Sequence, residues 1–519
     1  MCTSKEPALR AGSFDFSSKN CYDKLYDKKH LKKVNCQINY MKKNIYITTT
    51  LPYVNADPHI GFAKEIIRAD VLARFYIQSG HEVFFNTGTD EHGKKLYEAA
   101  QTEGVDTYAY VTRYAEKFKE LVNELSIHDS IHFIRTTDEH HKIAAQEFWK
   151  RCESAGYIYK DTYKAKYCVG CELEKTDSEL VDGKCQFHPT RDIEILEEEN
   201  YFFAFSKFEE KLLEMYKNGE SKVYPDHRQN EIVSFIQRGL QDFSISRSKE
   251  KMPWGVAVPG DDDQVMYVWF DALVNYISIL GWPDGENMKK FWTDGQTYQF
   301  FGKDNLRQQS AMWQAMLLSV GEKQTLHLVD NGFIMGEGGI KMSKSIGNVI
   351  APKDVIEIYG VEALRYVLVR HLSMFEDSEF SNKIIAEHYN AHLVNGIGNL
   401  TSRIMQLSQT WRLGVENKLY EGEFDAEFTQ VLTQDLDSQK AYDVVFSWVK
   451  NVDTYISNEE PFKVVKVDQE KGIAMIDFLV NQLAKIEFHL RPLMPQTAQN
   501  IRESILANTK PISPLFERK

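Results

Sequence analysis

Two short stretches of the chain carry residue types that can handle a phosphate. His59 and Gly61 follow an apolar stretch that predicts a strand, and they precede an amphipathic stretch that predicts a helix beginning near Gly61. An imidazole and a glycine therefore lie at a helix N-terminus, where free backbone N–H groups attract an anion. Lys341 and Lys344, within Lys-Met-Ser-Lys-Ser, follow a glycine-rich stretch much later in the chain, which predicts a mobile loop. Two ammonium groups and an imidazole can neutralise the charge that develops on phosphorus during transfer, so a nucleotide site is the first hypothesis.

A second cluster has the spacing of a metal knuckle. The pairs Cys168-x2-Cys171 and Cys185-x2-His188 are separated by thirteen residues. Four such ligands in two close pairs suit tetrahedral Zn²⁺, and because no coordination position is left open the site would be structural. An iron–sulfur cluster is disfavoured by the histidine, and the other alternative is four unconnected reduced residues.

An α/β sheet must position these residues. Apolar stretches at 45–51 and 82–85 predict buried parallel strands, and apolar residues from Phe62 to Ile77 recur at helical spacing. Sheet-like segments return at 265–269, 298–301 and 326–329. Ligands of such sheets bind outside the carboxyl ends of the strands, so Leu51, Tyr53 and Asp90 are expected to face one crevice. The predicted fold is a doubly wound parallel, Rossmann-like α/β domain with a zinc-bearing insertion and an all-α helix bundle after it.

Composition and periodicity divide the chain into successive regions. The predicted boundaries are 1–43 for a poorly ordered N-terminal extension, 44–156 and 251–330 for the two halves of the α/β domain, 157–250 for the insertion, 331–381 for the loop with Lys341 and a linking region, and 382–519 for the bundle. The first convincing strand follows Met41, so we hypothesise that translation starts there; an organellar presequence is the rival explanation.

Overall composition restricts the class of protein. The 519 residues are 43% apolar and 26% charged, with no apolar run long enough to span a membrane, so a soluble protein is expected. The net charge of −13 argues against indiscriminate nucleic-acid binding but allows a local basic track for one RNA. Seven cysteines with no even pairing favour a reducing compartment, so we expect a cytoplasmic location rather than an organellar matrix.

The motif pair His59-Ile-Gly61 and Lys341-Met-Ser-Lys344-Ser resembles class I aminoacyl-tRNA synthetases. The insertion is too short for the editing domain of the leucine, isoleucine and valine enzymes. Further segments resemble the methionyl-tRNA synthetase family from about residue 44 to the C-terminus: Leu51-Pro-Tyr53, Thr87-Gly-Thr-Asp90-Glu-His92-Gly93, Glu199-Asn-Tyr-Phe-Phe203, Asp242-Phe-Ser-Ile-Ser-Arg247 and Tyr267-Val-Trp269-Phe-Asp271-Ala272. The resemblance implies a ligase that activates L-methionine with ATP and Mg²⁺ and transfers it to tRNA(Met). The cysteine cluster resembles the branch of this family with a single zinc knuckle.

The resemblance also implies roles for individual residues. His59, Lys341 and Lys344 would be catalytic. The methionine pocket would be formed by Leu51, Tyr53, Asp90, Trp269, Ala272 and Tyr276, with Asp90 binding the substrate ammonium. The implied ATP-binding residues are His59, Gly61, Gly302, Asp304, Ile334, Lys341, Ser343 and Lys344. In the bundle, Asn399 and Arg403 would read the anticodon, and Phe462 would stack on a base where relatives usually have tryptophan.

The chain departs from the family pattern in three places. Phe62 replaces the usual second histidine of the nucleotide loop, so we expect one polar contact near the phosphates to be missing. Gln308 and Gln309 replace a Phe-His pair at the far end of the methionine pocket, so that wall is expected to be more polar or differently shaped. Asn331 replaces a histidine before the glycine-rich loop. Because relatives that dimerise carry an added RNA-binding barrel after the bundle, a monomer is expected here. A non-catalytic tRNA-binding protein and a cysteine-activating enzyme are the alternative functions; the intact lysines and the position of the cysteines disfavour them.

Overall fold

The computed structural model describes residues 42–171, 173–175, 180–340, 342 and 350–519. Side chains are described throughout these ranges except at 163–165, 173–174 and 196–198. The predictions for the N-terminal extension and for Lys341, Ser343 and Lys344 lie outside the described residues.

A six-stranded parallel sheet organises the protein. Its strands are β1 (Asn44–Thr49), β2 (Glu82–Thr89), β3 (Ile131–Arg135), β9 (Lys222–Tyr224), β14 (Gln296–Gly302) and β15 (His327–Asn331). Their order is β3-β2-β1-β14-β15-β9, so the chain leaves β1 towards β2 on one side and returns through β14 on the other. This reversal next to β1 is where open α/β sheets bind their ligands. The predicted Rossmann-like architecture is confirmed.

Burial on both faces explains the composition of β1. Ile45, Tyr46 and Ile47 are fully buried, as expected for a central parallel strand. Helix α1 (Ile60–Gln78) follows and packs along the sheet through Phe62, Ile66 and their neighbours. The sequence predicts that this helix begins near Gly61, and in the structure it begins one residue earlier, at Ile60.

The predicted insertion contains a four-stranded antiparallel sheet. Strands β4 (Ile158–Cys168) and β8 (Glu194–Phe203) pair over their whole length, with β5 (Leu173–Lys175) and β10 (Phe243–Ser244) at the two edges. The short hairpin formed by β6 (Leu180–Val181) and β7 (Lys184–Cys185) lies between β5 and β8 in sequence. Strand β9 pairs with β15 of the parallel sheet, so the range 157–250 contains one strand that belongs to the main domain.

Helices dominate after residue 350, so the helical region begins earlier than the predicted start of the bundle at residue 382. The core of β1 and α1 continues into these helices, and Lys43–Lys519 forms one compact unit. No helix in the described parts of the chain is long and apolar enough to cross a membrane. The remaining α-helices are α2 (Lys94–Glu103), α3 (Thr107–Glu124), α4 (Glu139–Ser154), α5 (Glu209–Asn218), α6 (Asp226–Gln237), α7 (Val268–Leu273), α8 (Asn275–Ser278), α9 (Trp313–Ser319), α10 (Pro352–Tyr359), α11 (Val361–Tyr366), α12 (Asn382–His388), α13 (Asn399–Trp411), α14 (Ala426–Thr433), α15 (Ser438–Glu459), α16 (Pro461–Val467), α17 (Gln469–Leu490) and α18 (Pro495–Ala507).

The other regular segments are short. Four π-helical segments cover Met288–Thr293, Gln308–Met312, Val367–His371 and Tyr389–Gly398, and 3₁₀ turns cover Phe205–Phe208, Lys303–Asn305 and Glu337–Gly339. The remaining strands are β11 (Ser246–Ser248), β12 (Ala257–Val258), β13 (Asp261–Met266), β16 (Ile334–Met335) and β17 (Ser378–Glu379).

Candidate active site

A cavity of about 310 Å³ opens at the carboxyl ends of β1 and β14. The six residues predicted to form a substrate pocket all line it: Leu51, Tyr53, Asp90, Trp269, Ala272 and Tyr276. Asp304, predicted to bind ATP, lines the same cavity. The expectation that Leu51, Tyr53 and Asp90 face one crevice is therefore confirmed, while their individual roles stay predictions.

Backbone hydrogen bonds fix two walls of the cavity against each other. Tyr53 and Asp90 form an isolated parallel bridge beyond the ends of β1 and β2. The Asp90 N–H donates to the Pro52 carbonyl at 3.0 Å, and the Val54 N–H donates to the Asp90 carbonyl at 3.2 Å. These bonds involve only main-chain atoms, and the Asp90 residue that they hold in place lines the cavity.

His59 caps the N-terminus of α1. Its Nδ1 accepts a hydrogen bond from the Gly61 N–H at 3.0 Å, and the ring is exposed. A Cβ on Gly61 would lie 2.8 Å from His59 Cε1, so a glycine is required for this close approach. The sequence prediction of an imidazole beside free helix N–H groups therefore describes the local geometry well.

Phe62 does not face this loop. Its side chain is buried and packs edge-on against Phe118, with ring centroids 5.1 Å apart. Phe62 therefore has a packing role in the core, while the expected loss of a polar contact near the phosphates stays a prediction. The helical spacing of the apolar residues was the sequence signal for this burial, because Phe62 and Ile66 lie on one face of α1.

A buried charge network fixes helix α7, which carries Trp269 and Ala272. Asp271 is fully buried; its Oδ2 lies 2.5 Å from His92 Nδ1, and its Oδ1 lies 2.8 Å from His141 Nε2. Burial opposes ionisation of Asp271, yet the charge of His92 and the hydrogen bonds from both imidazoles lower its pKa to about 2. The carboxylate thus anchors α7 to the segment after β2 and to α4. His141 is a positioning residue that the sequence reasoning missed.

The far wall of the cavity is polar. Gln309 lines it and accepts a hydrogen bond from Gln299. Behind it, the Thr325 hydroxyl donates to Gln299 Oε1 at 3.1 Å, and Gln314 Nε2 donates to the Gln309 carbonyl at 2.8 Å. All four side chains are buried. The prediction of a more polar wall at this position agrees with this network.

The predicted ribose-binding segment begins at the end of β14. A Cβ on Gly302 would lie 2.9 Å from Asp304 Oδ1, so glycine lets this carboxylate approach the backbone. On the facing helix α1, Glu65 Oε1 accepts from the Thr50 N–H at 2.8 Å. Burial, together with the negative charges of Asp304 and Asp330, raises the pKa of Glu65 to about 7.

Two buried cations on α1 bind the segment that leads to the glycine-rich loop. Lys64 Nζ donates to the Gly332 carbonyl at 2.8 Å, and burial together with the charge of Arg68 holds the pKa of Lys64 well below its usual range. Arg68 Nη1 donates to Asn331 Oδ1 at 3.3 Å, and Asn331 Nδ2 donates to the Phe301 carbonyl at 3.2 Å. Asn331 therefore connects α1 with β14, which accounts for an amide at this position.

The loop itself is described up to Ile340. Ile334 lies in β16, which pairs with β17, and Gly338 and Gly339 both adopt left-handed backbone conformations with φ of 73° and 71°. The Gly336 N–H then donates to the Ile340 carbonyl at 2.7 Å, closing a tight turn. Positive φ explains why glycines crowd at this point of the sequence.

The predicted metal ligands converge. The donor atoms of Cys168, Cys171, Cys185 and His188 all lie within 4.8 Å of one another. Cys171 Sγ lies 3.4 Å from Cys185 Sγ and 3.3 Å from His188 Nδ1. Tetrahedral zinc with ordinary bond lengths requires separations of about 3.8 and 3.6 Å, so the donor set fits this ion. The four cysteines in the described part of the chain are free thiols.

The cluster contacts the cavity. Gly170 and Cys171 line it, and Lys95 Nζ donates to the Gly170 carbonyl at 2.8 Å while lying 5.8 Å from the ring centre of Tyr53. A Cβ on Gly170 would lie 2.3 Å from His188 Cγ, so this glycine is required for the fourth ligand to approach. This contact could not be predicted from the sequence, because Lys95 and Gly170 are far apart in the chain.

A second cavity, of about 440 Å³, lies among the C-terminal helices. Arg403 and Phe462 both line it, together with Ser402, Gln406, Leu407, Ile456 and Lys510. Arg403 Nη1 lies 2.5 Å from Asp453 Oδ1, and Phe462 is 37% exposed, so its ring face is available to a ligand. Asn399 is exposed one helical turn before Arg403 but is not among the lining residues of this cavity.

Comparisons with known proteins agree with this geometry. The family described as tRNA synthetases class I (M) matches residues 45–192 and 171–405. Methionine–tRNA ligase of Streptomyces coelicolor is 37% identical over 89% of this chain and 90% of that protein. The ligase of Rickettsia bellii is 36% identical over 91% of this chain and 94% of that protein.

Solved structures give the same result. Mycobacterium tuberculosis methionyl-tRNA synthetase in complex with methionyl-adenylate superposes with a TM-score of 0.81 and 33% identity, over 91% of this chain and 97% of that one. The apo form of the same enzyme superposes with a TM-score of 0.75 and 28% identity, over 92% of this chain and 98% of that one. The chain therefore belongs to the methionine–tRNA ligase family of class I aminoacyl-tRNA synthetases.

Proposed function

We propose that the protein is an ATP-dependent methionine–tRNA ligase. It joins the carboxylate of L-methionine to the α-phosphate of ATP, releasing pyrophosphate, and then transfers the methionyl group to the terminal ribose of tRNA(Met), releasing AMP. The observation that carries the proposal is the cavity at the carboxyl end of β1, where all six residues of the predicted methionine pocket meet Asp304. Membership of the family supports the same reaction.

The first step needs positioning rather than a general base, because the attacking carboxylate is already ionised. Asp90 pairs with the substrate ammonium and so orients the carboxylate towards the nucleotide. Leu51, Trp269 and Tyr276 surround the thioether, which offers only a weakly accepting sulfur and is recognised by shape and aromatic contact. Gln309, held by Gln299, closes the deep end of the pocket.

ATP binds across the N-terminus of α1. His59 and the N–H groups after Gly61 face the phosphates, while Gly302 and Asp304 contact the ribose and Ile334 the base side of the nucleotide. Lys341, Ser343 and Lys344 complete the site by neutralising charge on the phosphorus and the departing pyrophosphate. Mg²⁺ bound to the nucleotide would supply further neutralisation of the phosphate charge, and no residue of the chain is assigned to it.

Zn²⁺ is held by Cys168, Cys171, Cys185 and His188. All four positions of a tetrahedral ion are filled by the protein, so the metal supplies structure and no catalytic chemistry. The bound ion orders Gly170 and Cys171, which line the pocket, and so stabilises the wall that also contains Lys95.

The tRNA is recognised through its anticodon by Arg403 and Phe462 at the C-terminal cavity, with Asn399 beside it. Phe462 stacks on a base, and Lys510, which the sequence reasoning missed, adds a positive charge at the same cavity. We further propose a monomer that acts in the cytoplasm. Light scattering on the purified chain and fractionation of cells test these two statements.

ATP–pyrophosphate exchange measured separately with each of the twenty amino acids tests the activity. We expect exchange with methionine and only background exchange with the others. Exchange with cysteine in place of methionine would assign the alternative substrate. Charging of tRNA without any exchange is chemically inconsistent with this mechanism, and absence of both reactions would favour a non-catalytic tRNA-binding protein.

A further inference from the structure

Three histidines with no part in the proposed reaction lie together where the helical region begins. His371 ends the segment Val367–His371, His388 ends α12, and His392 lies in Tyr389–Gly398. One ring nitrogen from each lies within 4.8 Å of the other two. The rings of His371 and His388 are stacked with centroids 3.5 Å apart, and the His392 ring lies 5.4 Å from each.

Their placement in the chain resembles that of a metal-ligand set. His388 and His392 are four residues apart, so they project from the same helical face. His371 comes from a separate segment that precedes α12 and completes a three-imidazole cluster. Two of the three lie in π-helical segments, a distortion that often accompanies functional sites.

Two nitrogens of this cluster lack a partner. His371 Nε2 and His392 Nδ1 are buried and have no hydrogen-bond partner among the described residues. A buried polar atom without a partner is costly, and a bound ion would remove that cost. The three rings themselves are partly buried, which leaves a path for an ion from solvent.

The charges beside the cluster are partly balanced. Arg370 directly precedes His371 in the chain and is paired with Asp443 at 3.0 Å, so its positive charge is partly compensated. The exposed Glu387 directly precedes His388 and places a negative charge on the same segment.

We propose that His371, His388 and His392 bind one divalent transition-metal ion, with zinc as the preferred ion. Three imidazoles suit Zn²⁺, and the fourth position is open to water. Tetrahedral geometry requires nitrogen separations of about 3.3 Å and lone pairs that converge on the ion. The rings are nearly parallel, with interplanar angles of 13° to 27°, so at least two of them must turn about the Cβ–Cγ bond when the ion binds. The ion would connect the segment ending at His371 to the first helices of the C-terminal region, at a place distinct from the cysteine knuckle.

Titration of the full chain with Zn²⁺ in a calorimeter tests this site, using protein whose knuckle is already loaded. We expect one further equivalent of zinc with micromolar or tighter affinity, and a rise in the melting temperature on its addition. His388→Asn and His392→Asn should each weaken this second binding by at least about tenfold to a hundredfold, while the zinc retained from purification stays at one per chain.

His140→Asn is the matched control, since His140 is an exposed histidine outside the cluster. It should keep the second equivalent with unchanged affinity. If a cluster variant is poorly folded, the comparison of melting temperatures of the wild type with and without Zn²⁺ still tests the site. The proposal is overturned if the wild type takes up no second zinc, or if all three variants bind it equally.

Discussion

At the scale of single residues, the candidate site uses few charged groups within an otherwise apolar or amide-lined cavity. Asp90 is fixed by its backbone bridge to Tyr53, and Asp304 lies at the end of β14. In the proposed function, each carboxylate faces a different ligand, Asp90 the methionine and Asp304 the ATP. The two are therefore expected to make separable contributions to methionine and ATP binding.

Asp90→Asn should lower kcat/KM for methionine by about tenfold to a hundredfold in ATP–pyrophosphate exchange. The substitution removes a charge-assisted hydrogen bond to the substrate ammonium, worth about 1.5 to 3 kcal/mol. Asp262→Asn removes an exposed carboxylate from β13 and should leave the exchange rate unchanged. An Asp90→Asn enzyme with wild-type kcat/KM for methionine would exclude the ammonium-binding role.

Glu65 should make stability depend on pH. Burial raises its pKa to about 7 from an ordinary value of 4.5, so the folded protein holds this proton more tightly than the unfolded chain. The resulting stabilisation is fully present below about pH 4.5 and is lost as the pH rises through 7, by at most about 3 kcal/mol. Melting temperatures of the wild type should therefore fall more between pH 5 and about pH 8 than those of Glu65→Gln.

The glutamine in this variant still accepts from the Thr50 N–H, so the local hydrogen bond is retained. Glu120→Gln, at an exposed position of α3, is the control and should follow the wild-type pH dependence. Parallel curves for the wild type and Glu65→Gln would mean that Glu65 titrates alike in the folded and unfolded chain.

At the scale of elements, the sequence predicted four of the six parallel strands, namely β1, β2, β14 and β15, but not β3 or β9. It was wrong about the segment 265–269: β13 ends at Met266, and α7 begins at Val268. Aromatic and β-branched residues in this segment favour a strand locally. The helix is stabilised by Asp271, whose partners His92 and His141 come from distant segments and give no local signal.

Two other features could not be predicted from the sequence, because they too depend on contacts between distant segments. The three residues of β9 are too few for a periodicity, and only their pairing with β15 assigns them to the parallel sheet. The orientation of Gln309 depends on Gln299 and Thr325, which come from two other segments. Sequence motifs therefore identified the residues that line the cavity, whereas the groups behind them required the fold.

The insertion should depend on its metal. Cys168→Ser should reduce the zinc of the knuckle from one ion to none per chain and increase proteolysis between β4 and β8, because the donor set fits a tetrahedral ion and its binding energy stabilises the local fold. Mass spectrometry of the metal content and limited trypsin digestion measure the two effects. Cys152→Ser replaces a buried cysteine outside the cluster and should retain the ion. Full zinc occupancy in Cys168→Ser would remove this residue from the ligand set.

At the scale of the whole molecule, the proposed sites of amino-acid activation and of tRNA recognition are different cavities in one compact unit. The first lies at the parallel sheet, and the second lies among the C-terminal helices. The hydrophobic core is continuous from β1 to α18. Substitutions in the second cavity should therefore separate the two half-reactions.

Phe462→Ala should lower kcat/KM for tRNA in aminoacylation by roughly fivefold to a hundredfold, because loss of base stacking costs about 1 to 3 kcal/mol. ATP–pyrophosphate exchange without tRNA should be unchanged. Phe478→Ala is a matched control, since Phe478 is 41% exposed in α17 but does not line the cavity. Equal aminoacylation by the two variants would rule out a stacking role for Phe462.

The amide wall at Gln309 has a consequence for the selectivity of inhibitors. An amide held by Gln299 and backed by Gln314 and Thr325 offers a fixed pattern of hydrogen-bonding groups and little freedom to rotate. A compound whose deep end is purely aromatic would leave these groups without partners on binding, whereas one ending in a small amide or hydroxyl would satisfy them. Medicinal chemistry directed at this chain should therefore begin from polar-tipped methionine analogues.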